Sequence, residues 1–444
     1  MIRKLAFVCL ATMLAGCGGP DGEAPPPPVS IDDLAAEYLY LELAMGEIDK
    51  AHVDAYFGPA SVREKAQEDT PDLAAIRTDA ASLREELETR LEAAEALQQQ
   101  PGDYGSLTDG AVTARLRGLI ARLRALDMRI AINLGEAAAF DDESKALFMA
   151  VAPDYDAAHF EAILGRIDAL IPGDEDLSVR VNAFREQFVI PVDRLSAVFD
   201  EAMAECRRRT LEHIELPANE SFTIEYVTDK PWSGYNWYQG GARSLIQINT
   251  ELPIFIERAV DLGCHEGYPG HHTYNALLEK NLVDEAGWSE FALYPLFSPM
   301  SLIAEGSANY GIKLAFPGDE RLEYETEVLF PLAGLDAELA DTYYELLDLL
   351  AELNYAGNEA ARDYLNGDVD ADGAVDWLVR YALNSPERAA QRVRFVDAYR
   401  SYVINYNLGK DMVADYIESG DADHAERWAR FEAMLSSPIL PDSL

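Results

Sequence analysis

Basic residues are scarce in this sequence. Its 444 residues include 36 lysines and arginines against 79 aspartates and glutamates, which gives a formal net charge of -43 at pH 7. Binding to nucleic acid requires a basic surface that neutralises phosphates, so this composition excludes a nucleic-acid partner. Hydrophobic residues still make up 49% of the chain, which is enough for a large core beneath a solvated acidic surface.

Long apolar runs are also missing. Residues 5–14 are apolar and follow two basic residues, but the run is too short to span a membrane, and no membrane-spanning run occurs later. This arrangement is typical of a secretory signal, and Leu14-Ala15-Gly16-Cys17 resembles a bacterial lipoprotein processing site. We therefore expect residues 1–16 to be a signal peptide and Cys17 to carry a lipid anchor. An ordinary cleaved signal with an incidental cysteine is the alternative.

The residues after the expected anchor indicate where the protein resides. By analogy with bacterial lipoproteins, Gly18 after the cysteine favours the outer membrane, with the protein facing the periplasm. Residues 17–30 contain four consecutive prolines, Pro25 to Pro28, which predict a stiff, extended tether between the membrane and the folded part.

Only four cysteines occur. Cys9 belongs to the signal and Cys17 is the expected anchor, which leaves Cys206 and Cys264. These two could form a disulfide in an oxidising periplasm, but we expect each to be a small buried apolar residue. Cys264 precedes His265, yet neighbours on a helix point in different directions, so we do not expect it to bind a metal.

Histidine is scarce as well, and its distribution is uneven. Three of the seven histidines lie in His265-Glu266-Gly267-Tyr268-Pro269-Gly270-His271-His272. Imidazole is the commonest protein ligand of transition metals, and a carboxylate beside such a ligand can deprotonate a water held at the metal. The stretch therefore predicts a hydrolytic zinc site. The alternative is a Pro-Gly turn with exposed histidines.

The spacing differs from that of the common His-Glu-x-x-His motif, in which the histidines are four residues apart. On a regular helix neither His271 nor His272 could share a metal with His265. However, Pro269 lacks an N–H and crowds the preceding turn, so the helix must break there, and Gly270 adds backbone freedom. If the break absorbs two residues, His271 is the ligand; if it absorbs three, His272 is. We favour His271.

A third ligand is expected downstream, as in zinc peptidases that use two histidines and a glutamate. Glu305 is the only charged residue between Glu290 and Lys313, in a run of apolar and small residues. A lone carboxylate is costly to bury unless it is paired or bound to a metal. We therefore predict Glu305 as the third ligand. A carboxylate at a helix end that reaches solvent is the alternative.

The stretch from His265 to His272, followed by Ala304-Glu305-Gly306, resembles the bacterial family known as domain of unknown function 885. Members are mostly secreted or lipid-anchored, and they are regarded as zinc-peptidase-like proteins with a largely helical fold. The resemblance extends from about Phe140 to the end of the chain. Two positions depart from it, since Tyr274 and Ser307 stand where members often carry Gln and Trp. The resemblance implies a peptidase, and the departures mean that the substrate preference of relatives does not transfer.

Apolar residues recur at helical spacing through much of the chain and predict a mainly α fold. Ser30 is expected to cap the first helix, and helical periodicity continues through residues 154–172 and 179–209. We divide the folded part into an N-terminal helical layer at residues 31–138 and a zinc-peptidase-like region at 139–444. The expected core seams of the N-terminal layer contain Leu83, Leu87, Leu91, Leu116, Leu119, Ile120, Leu123 and Leu126.

One region alternates with a period of two residues and predicts a small β-sheet beside the zinc-binding helix. Residues 222–227 and 244–249 are the expected strands, and the turn-rich aromatic stretch 231–238 is the expected loop between them. An edge strand next to a zinc site can bind an extended peptide backbone, and we expect residues 244–249 to be that edge. A purely structural hairpin is the alternative.

Two polar stretches lie near the C-terminus. Tyr402 and Tyr406 belong to a cluster of arginines and aromatic residues, in which a hydroxyl or guanidinium could stabilise an oxyanion, although such tyrosines are more often core residues. Residues 368–373 resemble the start of a calcium-binding loop, but Val379 stands where the loop requires a glutamate. We therefore expect an acidic turn that caps the following helix.

These observations predict a zinc-dependent peptidase. His265, His271 and Glu305 would bind Zn2+ and leave one position open for water, and Glu266 would accept a proton from that water and pass it to the leaving amine. Tyr402 or Tyr406 would support the oxyanion. The competing hypothesis is a non-catalytic, lipid-anchored protein that binds a metal or a peptide and retains a peptidase fold.

Overall fold

The computed structural model of the protein describes residues 29–98, 110–136 and 138–444. The predicted signal peptide, the predicted lipid anchor at Cys17 and the prolines of the tether lie outside the described residues. Helices dominate the described part, so the prediction of a mainly α fold is confirmed.

The N-terminal layer begins at a capped helix, as the sequence predicts. The hydroxyl of Ser30 accepts a hydrogen bond from the amide of Asp33, whose carboxylate accepts one from the amide of Ser30 in return. The predicted seam residues are buried in one cluster, except Leu91, which is partly buried against it. The helices of this layer are α1 (Ile31–Ile48), α2 (Ala60–Asp69), α3 (Leu73–Gln98) and α4 (Gly110–Asn133).

The region after residue 138 contributes most of the helices. The predicted helical stretch 179–209 is broken, because Pro191 has no N–H to continue a helix, and 3₁₀ turns at Glu186–Phe188 and Val192–Arg194 separate two helices there. The helices are α5 (Phe140–Phe148), α6 (Ala157–Leu170), α7 (Leu177–Arg185), α8 (Leu195–Leu211), α9 (Glu257–Leu262), α10 (His271–Leu278), α11 (Pro299–Ala315), α12 (Glu320–Tyr324), α13 (Phe330–Ala333), α14 (Ala340–Glu352), α15 (Ala356–Asn366), α16 (Ala371–Tyr381), α17 (Pro386–Tyr399), α18 (Ile404–Glu418) and α19 (His424–Leu435).

The predicted acidic turn is present before α16. The Asp370 side chain accepts a hydrogen bond from the amide of Gly373 and so caps the helix. The interpretation of residues 368–373 as a cap is therefore confirmed.

A short antiparallel ladder joins the N-terminal layer to the later region. Strand β1 (Val53–Tyr56) follows α1, and strand β5 (Leu293–Pro295) precedes α11. A buried ion pair adds to this junction, with Arg115 Nε 2.6 Å from Glu290 Oε1. The ladder brings a segment near residue 54 to the start of the helix that carries Glu305.

The small sheet contains three strands in the order β2 (Ser221–Val227), β4 (Arg243–Asn249) and β3 (Gly234–Tyr238). β2 and β4 are parallel, and β3 is antiparallel to β4. The prediction of an edge strand at residues 244–249 is wrong, and so is the hairpin alternative. Both fail because the aromatic stretch expected to be a loop forms a strand on the other side of β4, which makes β4 central.

Cys206 and Cys264 are joined by a disulfide, so the prediction that each is an unpaired apolar residue is wrong. Cys206 lies on α8, and Cys264 lies in the segment that leads into His265. These elements pack side by side with the two Cα atoms 5.4 Å apart, which allows the two buried side chains to meet. The bond therefore fastens the histidine-bearing segment to α8.

Candidate metal centre

The chain breaks and then returns at the histidine-rich stretch. α9 runs into a π-helical segment at Gly263–Gly267, and α10 begins only at His271. The Tyr268–Pro269 peptide bond is cis. The amide of Gly270 donates to the carbonyl of Cys264 at 3.0 Å, which closes the returning turn. The predicted break at Pro269 is confirmed.

Gly270 allows this return because its backbone lies directly against that of the preceding segment. A Cβ atom at Gly270 would lie 2.5 Å from the carbonyl oxygen of Cys264 and closer still to that of His265, distances that real side chains do not adopt. Only glycine therefore permits the chain to fold back so tightly, and the fold places His271 beside His265, with ring centroids 4.6 Å apart.

His265, His271 and Glu305 converge on one point. Their nearest ligand-type atoms all lie within 4.8 Å of one another. Glu305 Oε2 is 3.1 Å from Nε2 of His265 and 3.7 Å from Nε2 of His271. The three predicted ligands, which lie up to 40 positions apart in sequence, therefore share one small space.

The carboxylate of Glu305 is buried, with only 5% of the residue exposed, and its two oxygens differ. Oε1 accepts a hydrogen bond from the Tyr402 hydroxyl at 2.7 Å. Oε2 has no hydrogen-bond partner among the described residues, although Nε2 of His265 lies 3.1 Å away. Although burial acts to raise its pKa, His271 and His265 outweigh burial and hold the pKa of Glu305 well below its usual range. A buried, ionised oxygen without a hydrogen bond beside two imidazoles fits a cation ligand.

Glu305 is positioned by a close crossing of α11 and α18. A Cβ atom at Gly306 would lie 2.5 Å from the carbonyl carbon of Gly409, so the two helices touch through their backbones there. This contact places the segment of Tyr402 within hydrogen-bond distance of Glu305. The alternative of a helix-end carboxylate in solvent does not describe Glu305, which lies in the interior of α11.

The ring of His265 is oriented by a neighbour that our sequence analysis missed. Its Nδ1 lies 3.0 Å from Oδ1 of Asn309, one turn beyond Glu305 on α11. Because an amide oxygen only accepts, Nδ1 is the donor in this contact, and the ring is held with Nε2 facing Glu305. Asn309 is itself held by a hydrogen bond from its Nδ2 to the carbonyl of Tyr406, at 3.0 Å.

His272 points away from this cluster. Its Nδ1 lies 2.8 Å from the hydroxyl of Ser244 on β4, and its Nε2 lies 3.1 Å from Oε2 of Glu220. Both ring nitrogens are therefore engaged elsewhere. The geometry places His271, and not His272, beside His265 and Glu305.

Glu266 lies in the same pocket and is 3% exposed. Its Oε2 makes no hydrogen bond among the described residues. Burial, together with the nearby carboxylates of Glu305 and Asp54, raises the pKa of Glu266 to about 8, although His271 acts in the opposite direction. The β3 residue Asn236 donates to the main-chain carbonyl of Glu266 at 2.6 Å, so this strand is the sheet edge next to the cluster.

The two candidate tyrosines occupy different positions. Tyr402 lies in a 3₁₀ turn, is buried and gives its hydroxyl to Glu305. Tyr406 lies on α18, with its ring centroid 6.4 Å from that of His265. Of the two hydroxyls, only that of Tyr402 is hydrogen-bonded to Glu305 among the described residues. Burial raises the pKa of both hydroxyls well above the usual value, so both remain protonated donors.

Asp54 is a further acidic residue that sequence reasoning missed. It comes from β1 of the N-terminal layer and accepts a hydrogen bond from the hydroxyl of Tyr235 on β3. Burial raises the pKa of Asp54 to about 6, and its charge interacts with those of His271 and Glu305. No local pattern marks it, because only the pairing of β1 with β5 brings it to the cluster.

Comparison with known proteins identifies no family for this chain. No family model matches the chain, and no curated protein matches it. A solved structure described as "the putative lipoprotein from Colwellia psychrerythraea" is similar over 91% of this chain and 74% of its own, with 14% sequence identity and a TM-score of 0.45. Within the described part of the chain, no helix has the length and apolar character needed to cross a membrane.

Proposed function

We propose that the protein is a zinc-dependent peptidase and belongs with the family that its motif resembles. The observation that carries the proposal is the convergence of His265, His271 and Glu305 beside the buried Glu266. Two imidazoles and one carboxylate form the donor set of catalytic zinc sites that keep one position open. When bound, zinc would supply a Lewis acid that polarises the scissile carbonyl and acidifies a water.

Glu266 is the base in this proposal. One oxygen of its buried carboxylate has no hydrogen-bond partner in the described part of the chain, and Glu266 directly follows the proposed ligand His265 in sequence. The charge of a bound zinc ion would favour the ionised form of Glu266. In that form the carboxylate would accept a proton from the attacking water and then deliver it to the leaving amine. The low-dielectric surroundings favour the protonated form after the first transfer, which suits the second.

The remaining residues orient the reacting groups. Asn309 fixes the ring of His265, and Tyr402 fixes the carboxylate of Glu305. The hydroxyl of Tyr406, which has no hydrogen bond among the described residues, is the donor that we assign to the developing oxyanion. The edge of β3, next to Glu266, replaces β4 as the strand along which we expect an extended peptide to lie.

We further propose that the protein is anchored to the bacterial cell envelope by a lipid on Cys17. The support is the signal-like N-terminus, and the disulfide between Cys206 and Cys264 fits an oxidising compartment such as the periplasm. An anchor of this kind would hold the peptidase at the membrane surface, separated from it by the proline-rich tether.

The test is hydrolysis of a mixed peptide library by the purified, zinc-loaded protein, read by mass spectrometry. Wild type should cleave peptide bonds, and Glu266→Gln should bind zinc normally but turn over at least about 100-fold more slowly. Glu285→Gln, which removes an exposed carboxylate with the same change in charge, serves as the control and should match wild type. Zinc binding without cleavage by wild type would favour the non-catalytic binding protein instead.

A further inference from the structure

Arg392 on α17 differs from every other arginine in its surroundings. Among the described arginines that are not exposed, it alone makes neither a hydrogen bond nor an ion pair, with no carboxylate oxygen within 4.0 Å of its guanidinium. Acidic residues outnumber basic ones by 79 to 36 in this chain, so partners for a guanidinium are plentiful. The neighbours of this guanidinium among the described residues are aromatic rings and not carboxylates, which leaves its N–H donors open to a ligand.

The guanidinium lies close to the candidate metal centre. Its central carbon is 4.9 Å from the ring centroid of Phe395 and 5.7 Å from that of Tyr406. The Tyr406 ring centroid is 6.4 Å from that of His265. Through the Tyr406 ring, the guanidinium carbon is therefore no more than 12.1 Å from the His265 ring centroid. The charge of Glu305 also acts on Arg392.

A guanidinium presents a planar fork of N–H donors that matches a carboxylate. In a peptide substrate without acidic side chains, the only carboxylate is that of the C-terminus. One extended residue spans about 3.3–3.6 Å, so a gap of this size holds roughly three residues at most. We propose that Arg392 binds the C-terminal carboxylate of the substrate, an inference that rests on the proposed peptidase function. The protein would then remove one to three residues from the C-terminus of peptides.

Two other roles give different expectations. A guanidinium that stabilised the oxyanion would act on all peptides alike, whatever their C-terminus. An anchor for the substrate amine is excluded for Arg392 because the guanidinium and the ammonium group are both positively charged. Dependence on a free C-terminal carboxylate is therefore the property that distinguishes an anchoring arginine.

The test measures binding as well as cleavage. A randomised pool of N-acetylated pentapeptides is made once as free acids and once as C-terminal amides, so that no substrate amine contributes. Zinc-loaded Glu266→Gln protein is immobilised, and the peptides it retains are counted by mass spectrometry. Arg392→Gln is added to this background, and Arg394→Gln is the matched control, since Arg394 lies two residues away on the same helix, is exposed and also lacks an ion pair.

The parent protein, zinc-loaded Glu266→Gln with Arg392 intact, should retain free-acid peptides about 10- to 100-fold better than amides. This ratio corresponds to the strength of a charge-assisted hydrogen bond. Arg392→Gln should bring this ratio close to one, and Arg394→Gln should leave it unchanged. Equal retention of acids and amides by the parent, or no retention of either, would overturn the anchor. A clear acid preference in binding, together with no cleavage by wild type, would keep the anchor and refute only the peptidase.

Discussion

Replacing Gly270 with alanine tests how the chain brings His271 back to His265. The new Cβ would start 2.5 Å from the carbonyl oxygen of Cys264, whereas real Cβ contacts essentially never fall under 3.0 Å. The returning turn must therefore open by at least 0.5 Å, and by more at the carbonyl of His265. Metal–ligand distances tolerate deviations of only about 0.2 Å. We expect Gly270→Ala to weaken zinc binding about 100-fold, the upper end of what lost ligand positioning costs.

Calorimetric titration of Zn2+ into metal-free protein measures this effect, and thermal unfolding of the same metal-free samples separates lost binding from lost folding. Gly165→Ala is the control, because a Cβ at Gly165 in α6 meets nothing within 4 Å. That substitution should stabilise the protein by about 0.5–1 kcal/mol and leave zinc binding unchanged. Wild-type affinity in Gly270→Ala would show that the tight return is not needed to bring the histidines together.

Three further predictions concern the disulfide, acid stability and the anchor. The disulfide between Cys206 and Cys264 closes a loop with a sequence separation of 58. Its reduction, or alanine substitution of both cysteines, should lower the unfolding free energy measured with denaturant by roughly 4 kcal/mol. Free thiols at these positions in native protein would contradict the prediction. Burial acts to raise the pKa of Glu220, but hydrogen bonds, first among them that of His272, lower it to about 2 from 4.5. The ionised Glu220 carboxylate therefore stabilises the fold above about pH 4.5, and this contribution is lost as the pH falls toward 2. In denaturant titrations, Glu220→Gln should lower the unfolding free energy by at most about 3 kcal/mol at pH 7 and by little at pH 2. An equal loss at both pH values would refute this pH dependence. Cys17→Ser should leave unprocessed precursor or release the protein into the soluble fraction, and unchanged membrane attachment on immunoblots would refute the lipid anchor.

Much of the candidate site follows from local chemistry. Pro269 cannot continue a helix, which predicts the break, and the number of residues that a loop must absorb favours His271. The isolation of Glu305 in an apolar run predicts a buried carboxylate with a special partner. These inferences succeed because each depends on residues that are neighbours in sequence.

What sequence reasoning missed depends on contacts between distant segments. Gly234–Tyr238 has the composition of an aromatic turn, and only its packing against β4 makes it a strand. Cys206 and Cys264 pair because α8 lies beside the histidine-bearing segment, which no local pattern indicates. Asp54 reaches the site through the ladder of β1 and β5, and the register of such a ladder cannot be derived from either strand alone.

The most direct test of the proposed centre is zinc content after exhaustive dialysis, measured by elemental analysis of purified protein and single alanine variants. We expect one zinc per chain in wild type and no bound zinc in His265→Ala, His271→Ala or Glu305→Ala. His272→Ala should retain zinc, with its affinity lowered no more than about 100-fold. Zinc retained by His271→Ala together with its loss from His272→Ala would contradict the assignment of the ligands, and no zinc in wild type would contradict the centre itself.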